Sequence, residues 1–344
     1  MSLTGARKPR WSYMLLNSED EPLGALDGVS GGSLEVNANS RLGGSASLTI
    51  DERGQGIDWL THRVKVTYDP GTGDDAWGMG VWQFTSPTTT TDDAVTTHSV
   101  ELLSKMAAID EDSVADRYSL AAGTQIIPAV LTLIRSTGET RIAATDSDAT
   151  LTNPMVWEAA ESKLTIINDL LEAAGYWSLW CDGEGQFRVE PYTPPGDRPT
   201  SWVFEAGEAA IHESGWSREQ DLSAIPNRFV VVGQGDEETP ALVGVAQNDD
   251  PESPFSTVSR GRVITRSEEG VEGTQQVLDQ LAERRLRDAM SPVASLNVTH
   301  AILPLDPNDV VDFFARGHSA RATVQKMTYQ MSFEGQCVAE WREL

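Results

Sequence analysis

The residues that could carry out catalysis or bind a metal are scattered along this sequence. Two histidines four residues apart on a helix would offer a metal a pair of imidazole ligands, but no two histidines here have that spacing. The histidines are His62, His98, His212, His300 and His318. Three of them, His62, His98 and His300, lie in or beside predicted strands, and we expect them to be structural.

Four groups of acidic residues carry the oxygen donors that Ca²⁺ prefers. They are Asp110–Asp112, Asp236–Glu238, Asn248–Asp250, and Asp306 with Asp309 and Asp312. None follows the calcium-binding loop pattern, which needs a central glycine and a terminal glutamate at fixed spacing. We therefore expect these groups to be solvated loops.

Other catalytic patterns are also missing. The sequence contains no His-Glu-x-x-His, no phosphate-binding P-loop and no Cys-x-x-Cys. A carboxylate pair of the kind that glycoside hydrolases use stays open, because the separation of such a pair is a property of the fold. The abundance of acidic residues makes accidental pairs common, so this alternative has little weight. The sequence thus predicts a protein that is not an enzyme, with no catalytic, cofactor-binding or metal-binding residues and no cofactor.

The composition limits the partners of the protein. Among 344 residues, 26 Lys and Arg stand against 52 Asp and Glu, which gives a formal net charge of −26. This charge argues against a bound nucleic acid, which needs a basic surface, and against docking on an anionic membrane. Two cysteines, Cys181 and Cys337, are too few for a disulfide framework. There is no apolar run long enough to span a membrane, and no apolar segment typical of a signal peptide.

The first hundred residues read as an antiparallel β-barrel or sandwich. Polar and apolar residues alternate with a period of two, which predicts strands with one buried face. The predicted strands cover 11–16, 33–37, 45–50, 63–68, 81–85 and 95–103, and Thr88–Asp93 is a predicted polar loop. Ten tryptophans accompany the strands. We expect Trp59, Trp77, Trp82, Trp202, Trp216 and Trp341 to be core residues, with subunit contacts as the alternative.

The middle of the chain changes character. Apolar residues fall on one helical face over 126–134, with Thr124 as the predicted N-cap, and again over 162–174, where Gly175 ends the helix. A hairpin follows, with Asp182–Gly185 as its turn. The last third returns to strands at 228–233, 295–300, 309–314, 321–332 and 336–342, around a polar segment at 236–254 and a helix at 273–290.

Three segments of the last third form a series. Pro226-Asn227-Arg228-Phe229-Val230-Val231-Val232-Gly233 follows the tryptophan-containing segment Ser214–Ser217, the helix Val277–Met290 comes next, and Pro304-Leu305-Asp306-Pro307-Asn308-Asp309-Val310-Val311 leads into the closing strands. With Gly31–Asn37 and Gly44–Ile50, this series resembles the tail hub proteins of long-tailed bacteriophages, also called baseplate hub or minor tail proteins. Their relatives include the hubs of contractile tails and of type VI secretion spikes. Asn308 stands where a glycine is common in that family.

The resemblance implies a mainly β fold with α+β insertions, in which two tail-tube-like β-barrels are accompanied by α+β accessory domains. The expected domains are a first barrel at 1–105, an α+β domain at 106–215, a second, split barrel at 216–235 with 295–344, and a helix-containing insert at 236–294. In the family, three chains place six barrels in a ring that matches the sixfold tail tube.

The resemblance further implies a structural virion protein at the tail tip, assembled in the bacterial cytoplasm. A homotrimeric hub would close the distal end of the tail tube and form the conduit or gate for DNA ejection. Its expected partners are the distal tail protein, the tape-measure protein, the tail tube and receptor-binding or other tip proteins, with DNA only in transit. The acidity would suit a channel that must not hold DNA, although it would also serve solubility alone. The alternatives are a hexameric distal tail ring protein and a tail enzyme that acts on the cell wall.

Overall fold

The computed structural model describes residues 3–5, 7–74, 76–92, 95–220, 222–223, 225–233, 241–271, 274–290 and 294–344. The chain forms two compact units, one made of Met1–Ser217 with Leu296–Leu344 and the other of Arg218–Ser295. Strands make up 43% and helices 15% of the structure, so the predicted mainly β fold with small helical insertions is confirmed.

The first β-region contains the first eight strands of the chain. They are β1 (Arg10–Leu16), β2 (Pro22–Ala25), β3 (Val29–Asn37), β4 (Gly44–Asp51), β5 (Arg63–Asp69), β6 (Trp77–Phe84), β7 (Thr88–Thr91) and β8 (Thr96–Ser104). Antiparallel pairing orders them β3-β4-β8-β6-β5-β1-β2, with β7 also on β8. Because β2 leads into β3 after three residues, the chain itself links the two ends of this row. The loop predicted at Thr88–Asp93 is wrong over Thr88–Thr91, which pairs with β8 from Thr96 to Ser99; Asp93 lies outside the described residues.

The helical block (residues 107–199) follows the first β-region. Its elements are α1 (Ala107–Asp110), β9 (Tyr118–Leu120), α2 (Ile126–Ser136), β10 (Ile142–Ala144), β11 (Met155–Trp157), α3 (Lys163–Ala173), β12 (Trp180–Cys181) and β13 (Phe187–Val189). The apolar faces of α2 and α3 pack in a core of the block's own. The N-cap of α2 is Gln125 rather than the predicted Thr124, whose hydroxyl donates to the carbonyl of Ala121 instead. The helix α3 ends as predicted, with Gly175 at a φ of 71°.

Two strands, β14 (Thr200–Glu205) and β15 (His212–Glu219), follow the helical block. The second unit then contains β16 (Arg228–Gly233), β17 (Val243–Gln247), α4 (Thr257–Arg260), β18 (Thr265–Val271) and α5 (Gln275–Ala289). The central strand β16 pairs antiparallel with β17 and parallel with β18. One face of this sheet packs on α5 through Phe229 and Val231, opposite Leu278 and Ala282.

The sequence pattern differs from the structure at two places in this unit. The expected second barrel included 216–235, but the structure pairs β16 with β17 and β18, because the alternate residues Phe229 and Val231 face α5. The polar segment predicted at 236–254 contains the strand β17, and the part at 236–240 lies outside the described residues.

The chain closes with β19 (Ser295–His300), β20 (Val310–Ala315), β21 (His318–Gln330) and β22 (Cys337–Glu343). Together with β14 and β15 these strands form the second β-region. The order is β15-β19-β22-β21, and β20 follows on the other edge of β21. The strand β20 pairs antiparallel with β21 and parallel with β14.

Candidate assembly site

The two β-regions join in one continuous sheet. The last five residues of β21 pair antiparallel with β3, from Lys326 opposite Asn37 to Gln330 opposite Ser33. The first half of the same edge of β21 pairs with β20. The strands β22, β21, β3, β4 and β8 therefore form a shared sheet that crosses from the second β-region into the first.

One face of the shared sheet is core. A row of side chains runs across all five strands, and each of its members is at most 4% exposed. The row consists of Cys337, Tyr329, Leu34, Ala46 and Leu102. Burial raises the pKa of the Cys337 thiol far above its usual range, so this cysteine is a packing residue rather than a nucleophile.

The opposite face, here called the free face, is polar. Its side chains are half-buried or exposed, and most carry hydroxyl or carboxylate groups. It comprises Ser33, Glu35, Asn37, Ser45, Ser47, Thr49, Asp51, Thr97, Ser99, Glu101, Leu103, Lys326, Thr328, Gln330, Val338, Glu340 and Arg342. The ammonium of Lys326 lies 2.8 Å from a carboxylate oxygen of Glu35. The face thus has carboxylates in excess over cations.

Both β-regions contain one long strand whose edge serves two partners. In the first, one edge of β8 pairs with β7 near its start and with β6 near its end, while its other edge pairs with β4. In the second, one edge of β21 pairs with β20 and then with β3, while its other edge pairs with β22. In both cases one edge of a long strand pairs with two successive partners, and the second partner of β21 is the strand β3 of the first β-region.

His300, one of the three histidines expected to be structural, occupies a packed position. His300 is 1% exposed, and its ring packs 5.0 Å from the ring of Phe204 and 5.8 Å from that of Trp341, measured between centroids. Its Nδ1 lies 2.7 Å from the carbonyl oxygen of Ala301. Burial lowers the pKa of His300 to about 4, so the ring is neutral near pH 7. Within the part of the chain that the structure describes, no three His, Cys, Asp or Glu side chains come together to hold a metal ion.

The acidic groups lie apart from one another. Asp110 ends α1 and Asp312 lies within β20, so these two are not the loop residues that the sequence suggested. Asp110 accepts a hydrogen bond from the Arg41 guanidinium at 2.6 Å, which lowers the pKa of that carboxyl. The carboxylate of Asp309 accepts the backbone N–H of Asp306 at 3.0 Å. Asp249 accepts from the side-chain amide of the glutamine two residues before it at 2.8 Å. The group 236–238 lies outside the described residues.

One segment matches the letters of a nucleophile elbow, Gly-x-Ser-x-Gly, at Gly28–Gly32. The mechanism of such an elbow requires a sharp turn from a strand into a helix. Here the segment runs into β3, and the Ser30 hydroxyl lies 3.4 Å from the carbonyl oxygen of Thr49 in the neighbouring strand. The surroundings of this serine are those of a sheet residue.

The six tryptophans expected in the core all pack against the main hydrophobic cluster of the first unit. Trp82 and Trp341 are buried within it, and Trp59, Trp77, Trp202 and Trp216 are partly buried against it. Among the described residues, none of the helices combines the length and apolarity that crossing a bilayer requires.

Four charged residues form a cluster that the sequence does not indicate. Asp20, Arg63, Lys105 and Glu139 lie far apart in the chain, and no local spacing connects them. The structure brings their side chains into one buried cluster. Burial of charge is visible only in three dimensions, because charged residues are common throughout this acidic sequence.

Comparison with solved structures places this architecture among tail proteins. A tail protein from Neisseria meningitidis MC58 matches with a TM-score of 0.66 and 12% identity over 97% of this chain and 96% of its own. The 43 kDa tail protein of prophage MuSo2 from Shewanella oneidensis matches with a TM-score of 0.62 and 12% identity over 97% and 98%. An E. coli component of the type VI secretion system, described as structurally similar to T4 bacteriophage tail proteins, matches with a TM-score of 0.52 and 10% identity over 92% and 73%.

No protein-family model matches the chain, and a search of curated proteins found no match. At these identities the structural likeness defines the fold alone. The chain has the fold of phage tail proteins and of type VI secretion components, so the resemblance inferred from the sequence is confirmed at the level of the fold.

Proposed function

We propose that the protein is a structural component of a phage tail tip, where three copies form a hub that closes the distal end of the tail tube. The observation that carries this proposal is the shared sheet. Two β-regions lie in one chain, each with a long strand that pairs with two partners along one edge, and they are joined through β3 and β21. A chain with two tube-like units matches a sixfold tube when three copies close a ring, since heterologous contacts repeat around a cyclic axis.

The free face is proposed as the wall of the channel. Its carboxylates Glu35, Asp51, Glu101 and Glu340 repel phosphates, and one of its cations, Lys326, is paired with Glu35. A protein holds DNA mainly through lysine and arginine contacts that release counterions. A wall of hydroxyls and carboxylates offers few such contacts, so DNA passes through without being retained.

The hub would organise the tip by contacts with the distal tail protein, the tape-measure protein, the tail tube and receptor-binding or other tip proteins. It would be located in the virion tail and assembled in the bacterial cytoplasm. In this role the chain serves as a conduit or gate for DNA ejection and needs no catalytic centre.

The first test is the mass and symmetry of the purified protein. We expect particles of three times the chain mass of 37.4 kDa, with threefold averages in electron micrographs. A sixfold ring would instead identify a hexameric distal tail ring protein. If the protein stays monomeric even when mixed with tail tubes, the hub proposal is wrong.

A further inference from the structure

The four buried charges form a closed ring, here called the charge ring. Arg63 donates to Asp20 at 2.8 Å and to Glu139 at 2.6 Å. Lys105 completes the circle with contacts of 2.5 Å to Asp20 and 2.8 Å to Glu139. Each carboxylate bridges both cations, and no side chain in the ring is more than 9% exposed. The ring is therefore neutral as a whole and shielded from water.

Only one of these four residues comes from the helical block. Asp20 lies between β1 and β2, Arg63 begins β5, and Lys105 directly follows β8, so all three belong to the first β-region. Glu139 follows α2 in the helical block. Without Glu139, the three remaining side chains carry a net charge of +1 in a buried site. The first β-region thus presents a cationic socket, and Glu139 is the carboxylate that fills it.

The two bodies, the first β-region and the helical block, also meet through apolar and polar contacts. Leu42 packs against the core of the helical block, and the Arg41 guanidinium binds Asp110. Glu184, in the turn between β12 and β13, forms an ion pair with Lys65 and accepts the backbone N–H of Gly78 at 2.8 Å. The N–H of Gly80 donates to the carbonyl of Gly183 at 2.8 Å.

The backbones approach so closely at this turn that side chains do not fit. A Cβ on Gly78 would lie 2.2 Å from the carbonyl oxygen of Gly183, and a Cβ on Gly183 would lie 2.2 Å from that of Gly78. The contact therefore forms only when the two bodies are fully docked, and its hydrogen bonds report on docking.

Each body also has a core of its own. The helical block is built around α2 and α3, whereas the first β-region belongs to the main cluster. Separating the bodies would expose Leu42 together with the charged and polar groups of the interface. The hydration of those groups would offset part of the lost ion pairs. An interface of this kind resembles those between domains that move relative to one another.

We infer that Glu139 is a latch, and that the helical block can leave the first β-region while both bodies remain folded. In a tail particle, and here the inference rests on the proposed function, this release would let the block change its position without unfolding the shared sheet. Loss of the carboxylate would favour release, because two buried cations then share the single carboxylate of Asp20 and one positive charge is uncompensated.

The test is hydrogen exchange of the variant Glu139→Lys, which adds a third cation to the ring. We expect exchange of the Gly78 and Gly80 amides to accelerate by about a hundredfold or more, given the cost of an uncompensated buried charge. Amides within α2 and α3 should exchange at unchanged rates. The matched control Glu172→Lys, at an exposed position of α3, should leave all these amides unchanged.

Two results would overturn the latch. One is unchanged exchange at Gly78 and Gly80, which would mean that Glu139 does not stabilise the contact between the helical block and the first β-region. The other is faster exchange throughout α2 and α3, which would mean that the block cannot stay folded apart from the first β-region. The milder variant Glu139→Gln repeats the test should the lysine variant aggregate, with a smaller acceleration at the same two amides. Each experiment uses the isolated chain, so its outcome is independent of ring symmetry.

Discussion

Replacing Asn227 with alanine should specifically destabilise the second unit. This side chain is completely buried. Its Nδ2 donates to the carbonyl of Arg262 at 2.9 Å, and its Oδ1 accepts the backbone N–H of Ile264 at 2.7 Å. Both partners precede β18, so Asn227 fixes the parallel pairing of β16 with β18.

The expected loss follows from the two hydrogen bonds. Alanine leaves the carbonyl of Arg262 and the N–H of Ile264 without their side-chain partner in a partly buried place. An unsatisfied group costs about 1–3 kcal/mol when it is buried, and these two groups are partly buried, so Asn227→Ala should lower the free energy of unfolding of this unit by about 1–6 kcal/mol. A unit of this size has a total stability of only about 4–12 kcal/mol.

Native-state hydrogen exchange measures this loss directly. Amides of β16 should open with a free energy lower by the stated amount, whereas amides of β4 and β8 should not change, because they belong to the other compact unit. The control is Asn297→Ala, at an exposed position of β19. A loss below about 1 kcal/mol at β16 would refute the reasoning, since one unsatisfied buried group alone costs that much.

Three further predictions concern the first unit. Lys105→Met should lower the free energy of unfolding, measured in urea, by about 3–5 kcal/mol. In the double variant with Glu139→Gln, the loss should differ from the sum of the two single losses by a coupling energy of about 0.5–3 kcal/mol, and strictly additive losses would contradict the charge ring. Because burial holds the pKa of His300 near 4, below its ordinary value of 6.5, the unfolded chain binds the proton first as pH falls. The contribution of His300 to the free energy of unfolding should therefore be fully present above pH 6.5, and about 3 kcal/mol should be lost as the pH falls toward 4. If a His300→Phe variant loses as much stability between pH 6.5 and pH 4 as the unchanged protein, His300 is not the cause of this loss. Asn308 has a φ of 68°, so in thermal unfolding Asn308→Gly should leave the stability almost unchanged, whereas Asn308→Val should lower it by about 1–2 kcal/mol. Equal effects of the two substitutions would argue against the left-handed backbone.

The long antiparallel strands could be predicted because their pattern is local. In β5, Val64, Val66 and Tyr68 are all buried while the residues between them are not, so alternation alone indicates the strand. Helices α2 and α3 could be predicted in the same way, since their apolar stripes and the terminal Gly175 are local signals.

The remaining strands depend on distant partners. The threonines of β7 resemble a polar loop in sequence and become a strand through pairing with β8. The parallel pairs β14–β20 and β16–β18 join segments whose register no local pattern contains. Membership of β16 in the second unit rather than in a second barrel is a consequence of this pairing.

The candidate site shows the same division. Asn308 could be singled out as a residue in place of a common glycine, and its left-handed backbone explains why, since asparagine tolerates that conformation better than most residues. The shared sheet could not be foreseen, because β3 and β21 are about three hundred residues apart and neither sequence specifies the other. The charge ring could not be predicted from the sequence for the same reason.

The most direct test of the central claim is a cryo-electron microscopy map of the assembled protein at a resolution that traces strands. We expect a threefold ring in which β3, β4, β8, β21 and β22 of each chain surround an axial channel, with Ser47 and Glu101 of the free face directed to the axis. A ring whose channel is lined by other elements, with the free face on its outer surface, would contradict the account.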